Sequence, residues 1–215
     1  MRATPDGPLL SIEGKAFPDQ GVAVYASDVD LKWLGLQSLP PEKLRERLHD
    51  AFLAAADSDP AQRFEKRLEE AKAAFSAGSA TEARGILTVA LEDDPEEAER
   101  PGVRFLLAAS ELLAGNKEGA SLLEGPWPDG QKRAVQLWRG LYLAAVGGHE
   151  AEAAHLLAMD VERLKNYPAP LRDMLLPGVA EEIVRYGTQA DVEAQEKLPA
   201  GSSYQLVDAI RKQRS

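Results

Sequence analysis

The chain has 215 residues, enough to bury a substantial core as one larger domain or two small ones. Its formal net charge of −10 repels phosphate backbones and anionic lipid, which argues against nucleic acid and membrane surfaces as partners. It contains no cysteine, so disulfides, thiol catalysis and cysteine-ligated zinc are excluded.

The opening stretch, MRATPDGPLLSIEGKAF, has no long apolar segment and no small-residue cleavage site, and nowhere does the chain approach 18 consecutive apolar residues. No signal peptide or membrane span is expected. The expected location is the cytoplasm, or the chain is a soluble fragment of a longer protein. Residues 1–40 differ in character from the rest. Val22, Val24 and Ala26 would share one face of a strand, as would Val29, Leu31 and Trp33 if extension continues. A short β-hairpin or extended arm, packed as a cap on the helices, is the expectation.

From Pro41 the period becomes helical. Leu44, Leu48 and Phe52, with Ala51 and Ala55, form one stripe behind a proline suited to a first turn. A second helix, about Ala61 to Ala77, would bury Phe64, Leu68, Ala71 and Phe75 and end at Gly78, the usual left-handed cap. A third would run from Thr81 as N-cap to Glu92 and stop before Pro95. The pattern then repeats. SAGSATEA around Gly78 is answered by LAGNKEGA around Gly115, by VGGHEAEA around Gly148 and loosely by RYGTQADVEA around Gly187. In the first three, an alanine follows the glycine by five residues: Ala83, Ala120 and Ala153. Recurrence near 34 residues with a mid-unit glycine signals stacked helical hairpins. The second helix of the second unit must end near Gly125, because GPWPDG cannot continue one. Residues 199–215 read as a loop, with Gly201–Ser203 leading into a short capping helix.

Over about residues 64–198 this sequence resembles the tetratricopeptide repeat. Gly78, the Glu82–Ala83 pair and VALEDDP (Val89 to Pro95) match the second half of that motif. Trp138, Leu141, Tyr142 and Ala153 match its front half. The first unit lacks an opening tryptophan, and the third delays its closing proline to Pro168. The resemblance implies an all-α fold, an α-α superhelix of stacked antiparallel hairpins over residues 41–198, with first helices lining a concave side. In the register of the glycines the inward positions are Lys72 and Phe75, then Phe105, Ala109 and Leu112, then Trp138, Tyr142 and Ala145. They would form an apolar, aromatic groove for a peptide or protein segment, tryptophan and tyrosine being common hot-spot types. Trp138 also fits a packing position of the core. The occupant could be the chain's own N-terminal arm, with Trp33 and Tyr25 folded back into the groove.

Catalytic chemistry is not expected. His149 and His155 are six residues apart, roughly 240° around a helix, so they cannot share a metal ion from one helical face. No nucleophile elbow, phosphate loop or dinucleotide fingerprint occurs, and no cofactor is expected. The acidic pairs Glu69–Glu70, Asp93–Asp94 and Glu96–Glu97 read as solvated helix faces. Asn116 and Asn166 are not placed to clamp a terminal carboxylate as one tetratricopeptide subclass does. The expected function is a non-catalytic protein-interaction module. The alternative is a structural or self-assembling element of a larger bacterial complex, or a homo-oligomer, aided by the basic IRKQRS tail.

Overall fold

The computed structural model describes residues 29–196, and no strand occurs among them. The helices are α1 (Val29–Trp33), α2 (Pro41–Ala56), α3 (Arg63–Ser76), α4 (Ala80–Asp93) and α5 (Pro101–Leu113). They continue as α6 (Lys117–Ala120), α7 (Gln136–Val146), α8 (Glu150–Asp160), α9 (Ala169–Tyr186) and α10 (Gln189–Glu196). From α2 onward, chain neighbours pack mostly on one another, giving the hairpins α3–α4, α5–α6, α7–α8 and α9–α10.

The repeated glycines explain why the hairpins recur. Gly78 and Gly115 both adopt a left-handed backbone, φ 89° and 84°, which a residue with a Cβ adopts only under strain. Each makes the same closure. Gly78 N donates to Phe75 O and Ser79 N to Ala74 O, while Gly115 N donates to Leu112 O and Asn116 N to Glu111 O. The alanine five residues on then lies at the helix crossing, and Ala83, Ala120 and Ala153 are all fully buried. The fourth unit departs from this rule, since Gly187 has φ −73°.

Other boundaries differ from the expected ones. α3 begins at Arg63 after a 3-10 turn at Pro60–Gln62, and α4 begins at Ala80, so Thr81 lies inside its first turn rather than capping it. The second helix of the second unit is a single α turn, α6, prolonged by the 3-10 turn Ser121–Glu124 and ended at Gly125 with φ 107°. Phe52, expected on the buried stripe of α2, is 54% exposed. Leu44 is buried, Leu48 packs against the core and Ala51 and Ala55 are half-buried, so Phe52 is the member of that stripe that turns to solvent.

The N-terminal expectation also changes. Val29–Trp33 is helical, not extended. A strand would set Val29, Leu31 and Trp33 on one face, whereas the helix aligns Asp30 with Trp33, and both turn toward the core. Val22, Val24, Ala26 and Tyr25 lie outside the described residues, as do the loop and capping helix expected at 199–215.

The hairpins curl until the first meets the last. A Cβ placed on Gly78 would lie 3.2 Å from Pro170 Cβ at the start of α9. One apolar core therefore runs from Leu34 to Ile183. No helix among the described residues is long and apolar enough to cross a membrane.

Candidate functional site

The curled hairpins enclose an aromatic centre. Phe75 of α3, Phe105 of α5 and Trp138 of α7 are fully buried, with ring centroids 5.6 Å (Phe75–Trp138) and 6.3 Å (Phe105–Trp138) apart. Tyr167, in the extended step before Pro168, stacks on Trp138 at 6.5 Å. Ala109 is fully buried and Tyr142 nearly so. The wall expected from Phe75, Phe105, Ala109, Trp138 and Tyr142 is thus a core, because closure of the array brings first helices together around it. Leu112 is partly buried against that core, and Lys72 is half-buried at its edge.

α1 closes this centre. Trp33 meets Phe105 edge-on at 5.6 Å and Trp127 at 6.1 Å. Trp127, from the GPWPDG turn, is itself fixed by donating Nε1–H to Leu123 O (3.1 Å) and by the Arg104 guanidinium, 4.8 Å above its ring. Gly102 makes room for the indole, since a Cβ there would sit 2.8 Å from Trp33 Cδ1.

Beneath Trp33 lies a buried polar chain. Trp138 Nε1 donates to the Tyr167 hydroxyl (2.9 Å), and that hydroxyl donates to Asp30 Oδ2 (3.1 Å). Arg163, from the turn Val161–Asn166, donates to Asp30 Oδ1 (2.9 Å) and reaches Asp160 Oδ1 (3.5 Å). Burial raises the Asp30 carboxyl above its ordinary value, with the Arg163 charge opposing. Asp160 is raised for the same reason and opposed by Arg163 and Arg133. Tyr167 stays a neutral phenol, pushed well up first by burial and then by the Asp30 charge.

Beside α1 a cleft of about 320 Å³ opens between Lys32 and Trp33 on one side and Leu68, Lys72, Arg100, Pro101, Gly102 and Val103 on the other. Its cations are partly engaged: Lys72 Nζ bonds Glu69 at 2.7 Å, and Arg100 bonds both Glu65 and Glu97. A second cleft of similar size lies between α7, α8 and α9, with Glu181, Glu182, Arg185 and Tyr186 at its rim. Burial raises the Glu182 carboxyl there, reinforced by the nearby Glu150 and Glu181 charges.

His155 Nδ1 lies 3.0 Å from Asp191, which also accepts from Thr188 at the start of α10, and His149 lies 3.9 Å from Glu152. No three His, Cys, Asp or Glu side chains gather as a metal set among the described residues.

Asp30, Trp127, Arg163 and Tyr167 are not singled out by sequence reasoning. Asp30 carries one usable signal, an acid three residues before Trp33 within an apolar run. Trp127 and Tyr167 sit beside prolines and read only as loop. No protein-family model matches the chain, and comparisons with curated proteins and with solved structures give no match.

Proposed function

We propose that the chain is a non-catalytic protein-interaction module, a short helical array of tetratricopeptide type that binds a segment of another protein on the side of α3 and α5 where α1 lies. One observation carries this reading. A short chain segment, α1, is already held there, by Trp33 against Phe105 of α5 and Trp127, and its Asp30 reaches across to Arg163 and Tyr167, 133 and 137 positions away in the sequence. Helical-repeat arrays use such faces for partner segments. Lys72 and the cleft beside Trp33 are the accessible part of it.

The experiment is capture of a partner by the wild-type chain and by Lys72→Ser/Arg100→Ser. Partly exposed ion pairs are worth about 0–1 kcal/mol each, so the variant should keep its helical circular dichroism and thermal transition. It is expected to lose the partner that the wild type retains. Undiminished capture would remove this side as the docking face.

A second reading, self-assembly, is favoured by the adjacent exposed pair Phe52 (54%) and Leu53 (46%) on α2, with Met174 and Tyr186 exposed on α9. On that reading light scattering shows a mass that rises with concentration and falls to the monomer in Phe52→Ser/Leu53→Ser. A monomer at every concentration sinks it.

A further inference from the structure

α1 has the physical character of a bound ligand. A helix of five residues has no stability of its own in water, so its conformation is supplied by the surface that holds it. Its contacts are those of a short recognition segment. Trp33 is an anchor against Phe105 and Trp127, Asp30 is a buried acid, and Leu34 and Leu36 are buried behind them.

The acid is read at both oxygens, one taking a hydrogen bond from Arg163 and the other from the Tyr167 hydroxyl. A buried ion pair is weak evidence for added stability, because apolar residues of similar volume hold a core as well. Its better-attested use is to select one arrangement over others. The seat also keeps its own bonds when α1 is subtracted. Arg163 retains Asp160, and Trp138 Nε1 retains the Tyr167 hydroxyl. Nor is α1 sealed in, for the cleft beside Trp33 leaves one flank open. The link to α2, residues 37–40, is largely exposed, with Gln37, Ser38 and Pro40 open to solvent.

We infer that Asp30–Leu36 is an internal copy of the ligand, and that the seat receives a partner segment with the same signature. That signature is an aspartate, an apolar residue in the place of Leu31, one residue of free choice, Trp-Leu, a glycine and Leu. Leu31 packs on the core, and Gly35 has φ 65° with a Cβ there only 2.5 Å from Lys72 Cβ. The inference rests on the interaction-module reading and names its partner. α1 in place is the closed state, and the partner segment binds by displacing it. Asp is specified over Glu by the short reach to two fixed donors. Trp is specified by the aromatic seat and by the absence of a Cβ on Gly102.

The test uses a fluorescein-labelled peptide of residues 29–37, VDLKWLGLQ, read by anisotropy against the full chain. Trp33→Ala removes the internal anchor but leaves the seat, so this variant is expected to bind the peptide at least about tenfold more tightly than wild type, as a closed state suppresses apparent affinity by its population. Peptides carrying Trp33→Ala or Asp30→Asn should not bind, and adding Gly102→Ala to the Trp33→Ala chain should abolish binding. Equal affinity for the wild-type and Trp33→Ala chains, or for the peptide without its tryptophan, overturns the inference. If Trp33→Ala lacks a cooperative thermal transition, the measurement moves to a full-length chain with Trp33 intact and a protease site introduced in residues 37–40, cut at that site. Exchange of the cut segment for labelled peptide then supports the inference, and its retention or collapse of the fold overturns it. Loss of the peptide result with Lys72- and Arg100-dependent capture intact removes the signature and leaves the module reading standing.

Discussion

Arg163→Ala is expected to lower the unfolding free energy by about 3–5 kcal/mol, since removing one partner of a buried pair leaves uncompensated charge. For a domain of this size that is on the order of 10 °C in Tm. Arg163 is 8% exposed and lies between Asp30, which is fully buried, and Asp160, at 7%. The loss should depend on pH, with a definite sign. Both carboxyls are raised above their ordinary 3.8 by burial, with Arg163 pulling each back down. Between 3.8 and a raised native value, the folded chain binds more protons than the unfolded chain, so these groups' contribution to stability falls as pH rises. Without Arg163 the native values rise further. The deficit of the variant should therefore widen from acidic to neutral pH, as read by urea melts of both chains. A deficit independent of pH would assign the loss to packing of the arginine stem instead.

The local code of the hairpins is written plainly in the chain. Gly78 and Gly115 need a left-handed backbone, and Ala83, Ala120 and Ala153 need to be small, and these requirements show as a period without any partner being known. Where the hairpins go once formed is a different matter. The contact of Gly78 with Pro170 depends on small rotations accumulated over three units, and no residue type announces such a sum. Because the array curls shut, the side chains assigned to an open groove from Phe75 to Tyr142 form its core, and only Lys72 and part of Leu112 stay near the surface. α1 illustrates the other limit. Its Val-Leu-Trp alternation is a fair strand signal, but Arg163 and Tyr167 draw Asp30 inward, and that tertiary demand outweighs a local propensity of at most about 1 kcal/mol.

Trp138→Ala is expected to destabilise the chain by about 3–5 kcal/mol, the usual range for truncating a buried large aromatic. The indole is fully buried, with Phe75, Phe105 and Tyr167 within 6.5 Å of it by ring centroid. The cavity cannot collapse easily, because its walls come from α3 and α5, each held by its own hairpin, and from Tyr167, held by its bond to Asp30. Trp138→Phe separates packing from hydrogen bonding. It keeps most of the ring contact but removes the Nε1–H that donates to Tyr167, so its loss should be about 1–2 kcal/mol. The Tyr167 hydroxyl still donates to Asp30, which limits the damage. Urea melts measure both values, and the same two proteins decide whether Trp138 meets a partner. A core indole predicts wild-type capture by the phenylalanine variant, in proportion to its folded fraction. A Trp138→Phe chain that melts like wild type yet loses its partner would place the indole in the interface and reopen the aromatic centre as the binding surface itself.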